Sequence, residues 1–178
     1  MEKHKKRTHL YEWIESITVA LLVITAVFTF CFRLVDVVGT SMLPSLQHGE
    51  RLVLSRIPYT PKRGDIVVVS QGIDREPLIK RIIGIAGDTV RVDKETGEVF
   101  LNGEKLNEPY IPVPTAPEKM TEEVKVPENQ VFVMGDNRRL GQSLDSRTFG
   151  CVSEDQLAGK VVLRLFPINR MGGLYDES

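Results

Sequence analysis

The 178-residue chain is 42% hydrophobic and carries 23 Lys and Arg against 24 Asp and Glu, a formal net charge of −1. That length suits one domain with a core plus an appendage, and the balanced charge, with no basic stripe of interleaved aromatics, speaks against nucleic acid as a partner. The distant cysteines Cys31 and Cys151 give no disulfide framework, and His4, His9 and His48 stand in unrelated contexts, so neither a metal nor any other cofactor is expected.

Met1 to His9 carries Lys3, Lys5, Lys6 and Arg7 against Glu2 alone, and Ile17 to Phe32 (ITVALLVITAVFTFCF) then contains no charge. That run is shorter than the roughly 20 residues needed to cross a bilayer. Trp13 and Ile14 before it, and Leu34 to Val38 after it, extend it if Glu15 and Arg33 sit at the interfaces. A buried helix is disfavoured, because an all-round apolar helix needs a larger protein around it. A cleaved signal peptide shares the basic-then-apolar order, but the run is long for its core and no A-x-A-like site follows. An uncleaved anchor is the favoured reading: residues 1–12 a basic cytoplasmic segment, 13–34 a single span, and the rest outside the cytoplasm of a cell membrane.

Beyond the span, short β-rich runs recur at 51–54, 65–70, 78–85, 89–92, 98–101, 130–134 and 160–166, with turn residues between them. This predicts a mainly β domain over 35–170, built of short, mostly antiparallel strands. Asn102-Gly103, between two short apolar runs, predicts a tight hairpin because both residues tolerate positive φ. The proline-punctuated stretch from Glu108 to Pro114 cannot donate regularly to a ladder and reads as extended edge or loop. Pro117 to Glu128 reads as a loop or short helix, so 93–127 forms a small hairpin-and-loop insertion, and 171–178 a polar tail.

Ser41 follows a β-branched run and Gly39, and precedes Met42-Leu43-Pro44, which places it at a strand-to-turn junction. From this heptapeptide alone an ordinary turn serine is the favoured reading, although Met42, Leu43 and Leu46 are unusually apolar for a turn and suggest a neighbouring pocket or lipid. Lys80 lies in an apolar run with Leu78 and Ile82 on its own face and Ile79, Arg81 and Ile83 on the other. A lysine is a base at neutral pH only when burial lowers its pKa; the other reading is a stem that snorkels to solvent. A third phrase, Met134-Gly135-Asp136-Asn137-Arg138 through Ser143-Leu144-Asp145-Ser146-Arg147, reads as a polar loop held near the core by the apolar run before it.

In order and spacing these phrases resemble the bacterial type I signal peptidases. The boxes are Ser41 to Leu46, Arg63 to Val68, Leu78 to Gly84 with Gly87-Asp88, and Gly135 to Arg138 with Ser143 to Arg147, behind one apolar span. The resemblance implies a membrane-anchored serine endopeptidase of signal-peptidase fold, acting on secretory preproteins with small residues before the cut. It implies Ser41 as nucleophile, Lys80 as general base and Ser143 as the residue orienting the lysine amine. Asp145 with Arg147 would brace the site, Asp136 and Arg81 would support it, and Gly39, Thr40, Met42 and Leu78 would line the substrate and oxyanion side.

The chain departs from the pattern twice: Arg139 to Gln142 makes the link to Ser143 about two residues longer than in the family. Gly39 stands where some members have a serine whose hydroxyl helps the oxyanion, leaving more to the Ser41 N–H. A repressor-type self-cleaving protease shares the chemistry but lacks the span. A catalytically inactive, anchored β-domain that binds a secretion partner remains the alternative.

Overall fold

The structure is a computed structural model describing residues 2–70, 76–116, 122–172 and 174. It opens with helix α1 (Glu2–Cys31), of which Tyr11–Cys31, 21 residues, is long and apolar enough to cross a membrane. At ~1.5 Å per residue that window matches a hydrocarbon core of about 30 Å. Its apolar side chains find no cover in the protein; Phe30 is 76% exposed and Trp13 69%. The helix gives way to strand at Phe32, so the last residues of the expected span, Phe32 to Leu34, belong to β1 (Phe32–Asp36).

The remainder is mainly β and every strand pairing is antiparallel. After β1 come β2 (Arg51–Ser55), β3 (Ile66–Val69), β4 (Leu78–Gly84), β5 (Thr89–Val92), β6 (Val99–Leu101), β7 (Glu104–Lys105), β8 (Val124–Lys125) and β9 (Gln130–Met134). A single turn of helix, α2 (Ser146–Phe149), precedes β10 (Val152–Ser153) and the long β11 (Leu157–Phe166). Seven strands form one sheet in the order β1-β2-β11-β3-β4-β9-β10, and four form a smaller one, β7-β6-β5-β8.

Period-two alternation places the core. All of β3 is buried, with Ile66 and Val68 in a cluster with Met42, Leu46, Leu52, Leu54 and Val161, and Val67 and Val69 in another with Ile82, Val131 and Val133. A third cluster, holding Ile83, Val90, Val92, Val99, Phe132 and Met134, joins the two sheets. The Asn102-Gly103 hairpin forms as the dipeptide predicts: both residues have positive φ (54° and 84°) and Leu101 pairs with Glu104. Of the segment read as loop or short helix, 117–121 lies outside the described residues; the described part contributes the short strand β8.

Candidate active site

Ser41 is carried on a tight turn just beyond β1. Val37 N–H donates to Glu50 O and Gly49 N–H to Val37 O, which pinches the loop shut at its base. Leu43 N–H donates to Thr40 O and Leu46 N–H to Met42 O, so the turn closes on itself around the serine. Its apolar residues are its anchors: Met42 and Leu46 are buried in the sheet core rather than offered to lipid. Gly39 has φ +87°, a conformation L residues rarely adopt, which accounts for glycine here instead of a hydroxyl-bearing residue. Its N–H donates to His48 Nδ1 at 3.2 Å, a partnership with no signal in the sequence.

The loop after β9 clasps this turn. Asn137 donates from its backbone to Ser41 O (3.0 Å) and from its side-chain amide to Thr40 O (3.0 Å). Gly135 lies so close that a Cβ there would sit 2.3 Å from Ser143 Oγ and 2.4 Å from Ser41 O. Among the described residues the Ser41 N–H has no protein acceptor, which leaves it available to an oxyanion.

Strand β4 delivers Lys80 to the same place. Its Nζ lies 2.9 Å from Ser41 Oγ and also donates to Ile79 O at 2.9 Å, and the residue is 1% exposed. Burial lowers the amine's pKa from 10.5 to about 8, with Arg147 adding to the effect and Asp145 and Asp136 opposing it. The neighbouring Arg81 is buried as well, so both adjacent cations of β4 turn out to be inside. Each is satisfied differently: Arg81 makes a two-pronged pair with Asp136 (Nε–Oδ1 2.9 Å, Nη2–Oδ2 2.7 Å), while Lys80 faces a hydroxyl and a carbonyl.

Behind them Asp145 and Arg147 form a fully buried pair with contacts of 2.8 and 2.9 Å. Burial alone would raise the Asp145 pKa; Arg147, the Gly135 N–H and the Ser143 hydroxyl together hold it below the ordinary carboxylate range. The position of Ser143 differs from the expectation. Its hydroxyl donates to Asp145 Oδ2 at 2.6 Å, and the amine of Lys80 bonds to Ser41 Oγ and Ile79 O instead. A carboxylate two residues away in a tight turn is the stronger acceptor.

A cavity of about 330 Å³ opens beside the pair, lined by Val35 to Gly39, Ser41, Met42, Val68 and the β4 residues Leu78, Ile79 and Lys80. All of the expected residues therefore lie in one neighbourhood: Ser41, Lys80, Gly39, Met42 and Leu78 on the cavity, and Thr40, Asp136, Arg81, Ser143, Asp145 and Arg147 in the packing around it. Sequence reasoning missed Glu108, Tyr110 and Thr115, which reach the same loop from the small sheet through Arg138.

Residues 10–166 match the family described as signal peptidase, peptidase S26. The chain belongs to that family. It is similar to a signal peptidase I of Bacillus licheniformis, 37% identical over 93% of this chain and 94% of that protein. It is likewise 37% identical to signal peptidase I T of Bacillus subtilis strain 168, over 94% of this chain and 91% of the relative. A crystal structure of a signal peptidase I from Enterococcus faecalis V583 matches at 30% identity and a TM-score of 0.45, covering 57% of this chain and 97% of that one.

Proposed function

We propose that this chain is a membrane-anchored serine endopeptidase that removes signal peptides from secretory preproteins, with Ser41 as nucleophile and Lys80 as general base. The observation that carries the reading is the 2.9 Å contact between a buried lysine amine and a serine hydroxyl in a chain of the signal peptidase family.

Neutral Lys80 Nζ takes the proton of Ser41 Oγ as that oxygen attacks the carbonyl carbon of the bond to be cut. The oxyanion is met by the Ser41 N–H. Lys80 returns the proton to the leaving amine, and an ester to Ser41 remains. A water then gives its proton to Lys80 and attacks the ester, releasing the acid and restoring both side chains. Asp145, Arg147, Asp136 and Arg81 brace the loop and strand that hold the pair, and Ser143 acts on the Asp145 carboxylate.

Substrate binding follows from the surroundings. β1 is an edge strand whose outer backbone groups are open to an added strand, and the adjoining cavity brings valine, leucine and isoleucine side chains up to Ser41, with Asp36 and Glu76 also in its lining. This favours extended substrates cut after a small-x-small motif. With α1 in the bilayer and its basic segment in the cytoplasm, the β domain faces the exterior, where substrates arrive tethered in the same membrane.

The test is cleavage of a purified preprotein by detergent-solubilised wild type, Ser41→Ala and Lys80→Ala, with circular dichroism on all three. Cutting after a small-x-small site by wild type alone supports the reading. Absence of cutting by folded wild type moves it to the inactive partner-binding domain. The rate of the wild type should rise with pH through an apparent pKa of about 8, because the base works only deprotonated; a flat profile contradicts the lysine base.

A further inference from the structure

The small sheet sends back a segment, residues 108–116, that is fastened to the active-site loop at both ends. At one end Glu108 and Arg138 form a buried pair, Nη1 donating to Oε2 at 2.9 Å and Nη2 to Oε1, while the Tyr110 hydroxyl donates to Glu108 Oε1 at 2.7 Å. At the other, Arg138 Nη1 reaches Thr115 Oγ1 (2.8 Å), Ala116 N–H donates to Arg138 O (2.9 Å), and Arg147 Nη1 donates to Ala116 O (2.7 Å). Between these fastenings the Tyr110 ring lies beneath the Arg81 guanidinium, 4.1 Å from Cζ to centroid, with Arg138 at 6.0 Å.

That placement gives the ring a task. Arg81 is the residue after Lys80, and its guanidinium neutralises Asp136. Asp136 is in turn one of the charges that the Lys80 ammonium feels. We propose that Tyr110 is a positioning residue for the base: its ring covers the Arg81 guanidinium and keeps it shut on Asp136, so that the Asp136 charge is directed to arginine and withheld from the lysine amine. A cation over a tyrosine face is held by the ring's electron-rich surface, the more firmly the less water reaches it.

The charged groups around the amine define the direction of the effect. Asp145 and Asp136 favour its protonated form and Arg147 opposes it, while Arg81 is bonded to Asp136 and Arg138 to Glu108. Tyr110 itself stays neutral over the working range, because burial and Glu108 push its phenol well above the ordinary tyrosine range. If the ring is lost, Arg81 is held less firmly, Asp136 is less neutralised, and the lysine keeps its proton to higher pH.

The inference rests on the Ser41–Lys80 reading, and one experiment separates the two. kcat/KM is measured between about pH 6 and 10 for the full chain in detergent: wild type, Lys80→Ala, Tyr110→Phe, Tyr110→Leu, and protein with trifluorophenylalanine at 110. The last keeps the ring's shape while weakening its face. Tyr110→Phe should keep the wild-type apparent pKa. Tyr110→Leu and the fluorinated ring should raise it by about half a unit or more, with the high-pH plateau retained to within about threefold. A purely structural role would lower the melting temperature without moving that pKa. An unmoved pKa with the fluorinated ring, or an equal shift in Tyr110→Phe, overturns the inference alone. Wild-type activity in Lys80→Ala overturns both.

Discussion

Lys80 occupies a place where a cation is costly. In the unfolded chain its amine keeps its proton up to 10.5, but in the folded chain only to about 8. Between those values the unfolded state binds more protons, so stability rises with pH across that window and the full penalty is present below it. Lys80→Met should therefore stabilise the fold at pH 7 by about 3 kcal/mol, an advantage that fades as pH approaches 10.5. Denaturant midpoints at the two pH extremes check this, and a less stable Lys80→Met protein would contradict it. Gly135 makes the complementary case, because the space a methyl group would need is already filled by Ser143 Oγ and Ser41 O. Gly135→Ala should displace the Ser41 turn, cutting kcat by about 100-fold or more and stability by about 1–3 kcal/mol. The closeness of Ser41 to Lys80 was foreshadowed only by four phrases taken together in order and spacing, since each alone also reads as a turn serine or a snorkelling lysine. The orientation of Ser143 was not, since a hydroxyl chooses among acceptors that only the fold assembles.

The strands show the same division. Strands β3, β4 and β9 were readable because burial on both faces demands unbroken apolar runs such as Ile66–Val69. The short strands β8 and β10 carry two residues each, too few for any periodicity, and exist because β5 and β9 offer them partners. The segment from Glu108 to Pro114 looked like a plain loop because its prolines forbid a ladder, and nothing local announces that Glu108 meets an arginine 30 residues on. Asp88 is a similar long-range joint. Its carboxylate accepts from Arg63 ahead of β3, from Ile85 N–H after β4 and from Asn102 at the β6–β7 turn, tying the two sheets together. Arg63 is half exposed, which discounts the pair itself, but the buried acceptor remains. Asp88→Ala should lower unfolding free energy by about 2 kcal/mol in urea titrations, with Asp88→Asn intermediate.

The molecule divides into a helix with no cover and a β body with three packed clusters. A helix exposing Phe28, Phe30, Leu22 and Ile24 needs lipid, and its length and apolarity were plain in the sequence. The protein should remain in the membrane pellet after alkaline carbonate extraction, and a form beginning at Phe32 should be released; recovery of the full chain in the supernatant would contradict an anchor. The join between the two parts carries a consequence of its own. Cys31 ends α1 and Phe32 begins β1, with no linker between them, and Ser41 follows within ten residues. Even a fully extended chain of that length reaches only about 35 Å. Under the proposed function the height of Ser41 above the bilayer becomes a built-in gauge: a substrate strung from the same membrane would be measured against it, and a cut site too near or too far along that string would pass out of reach.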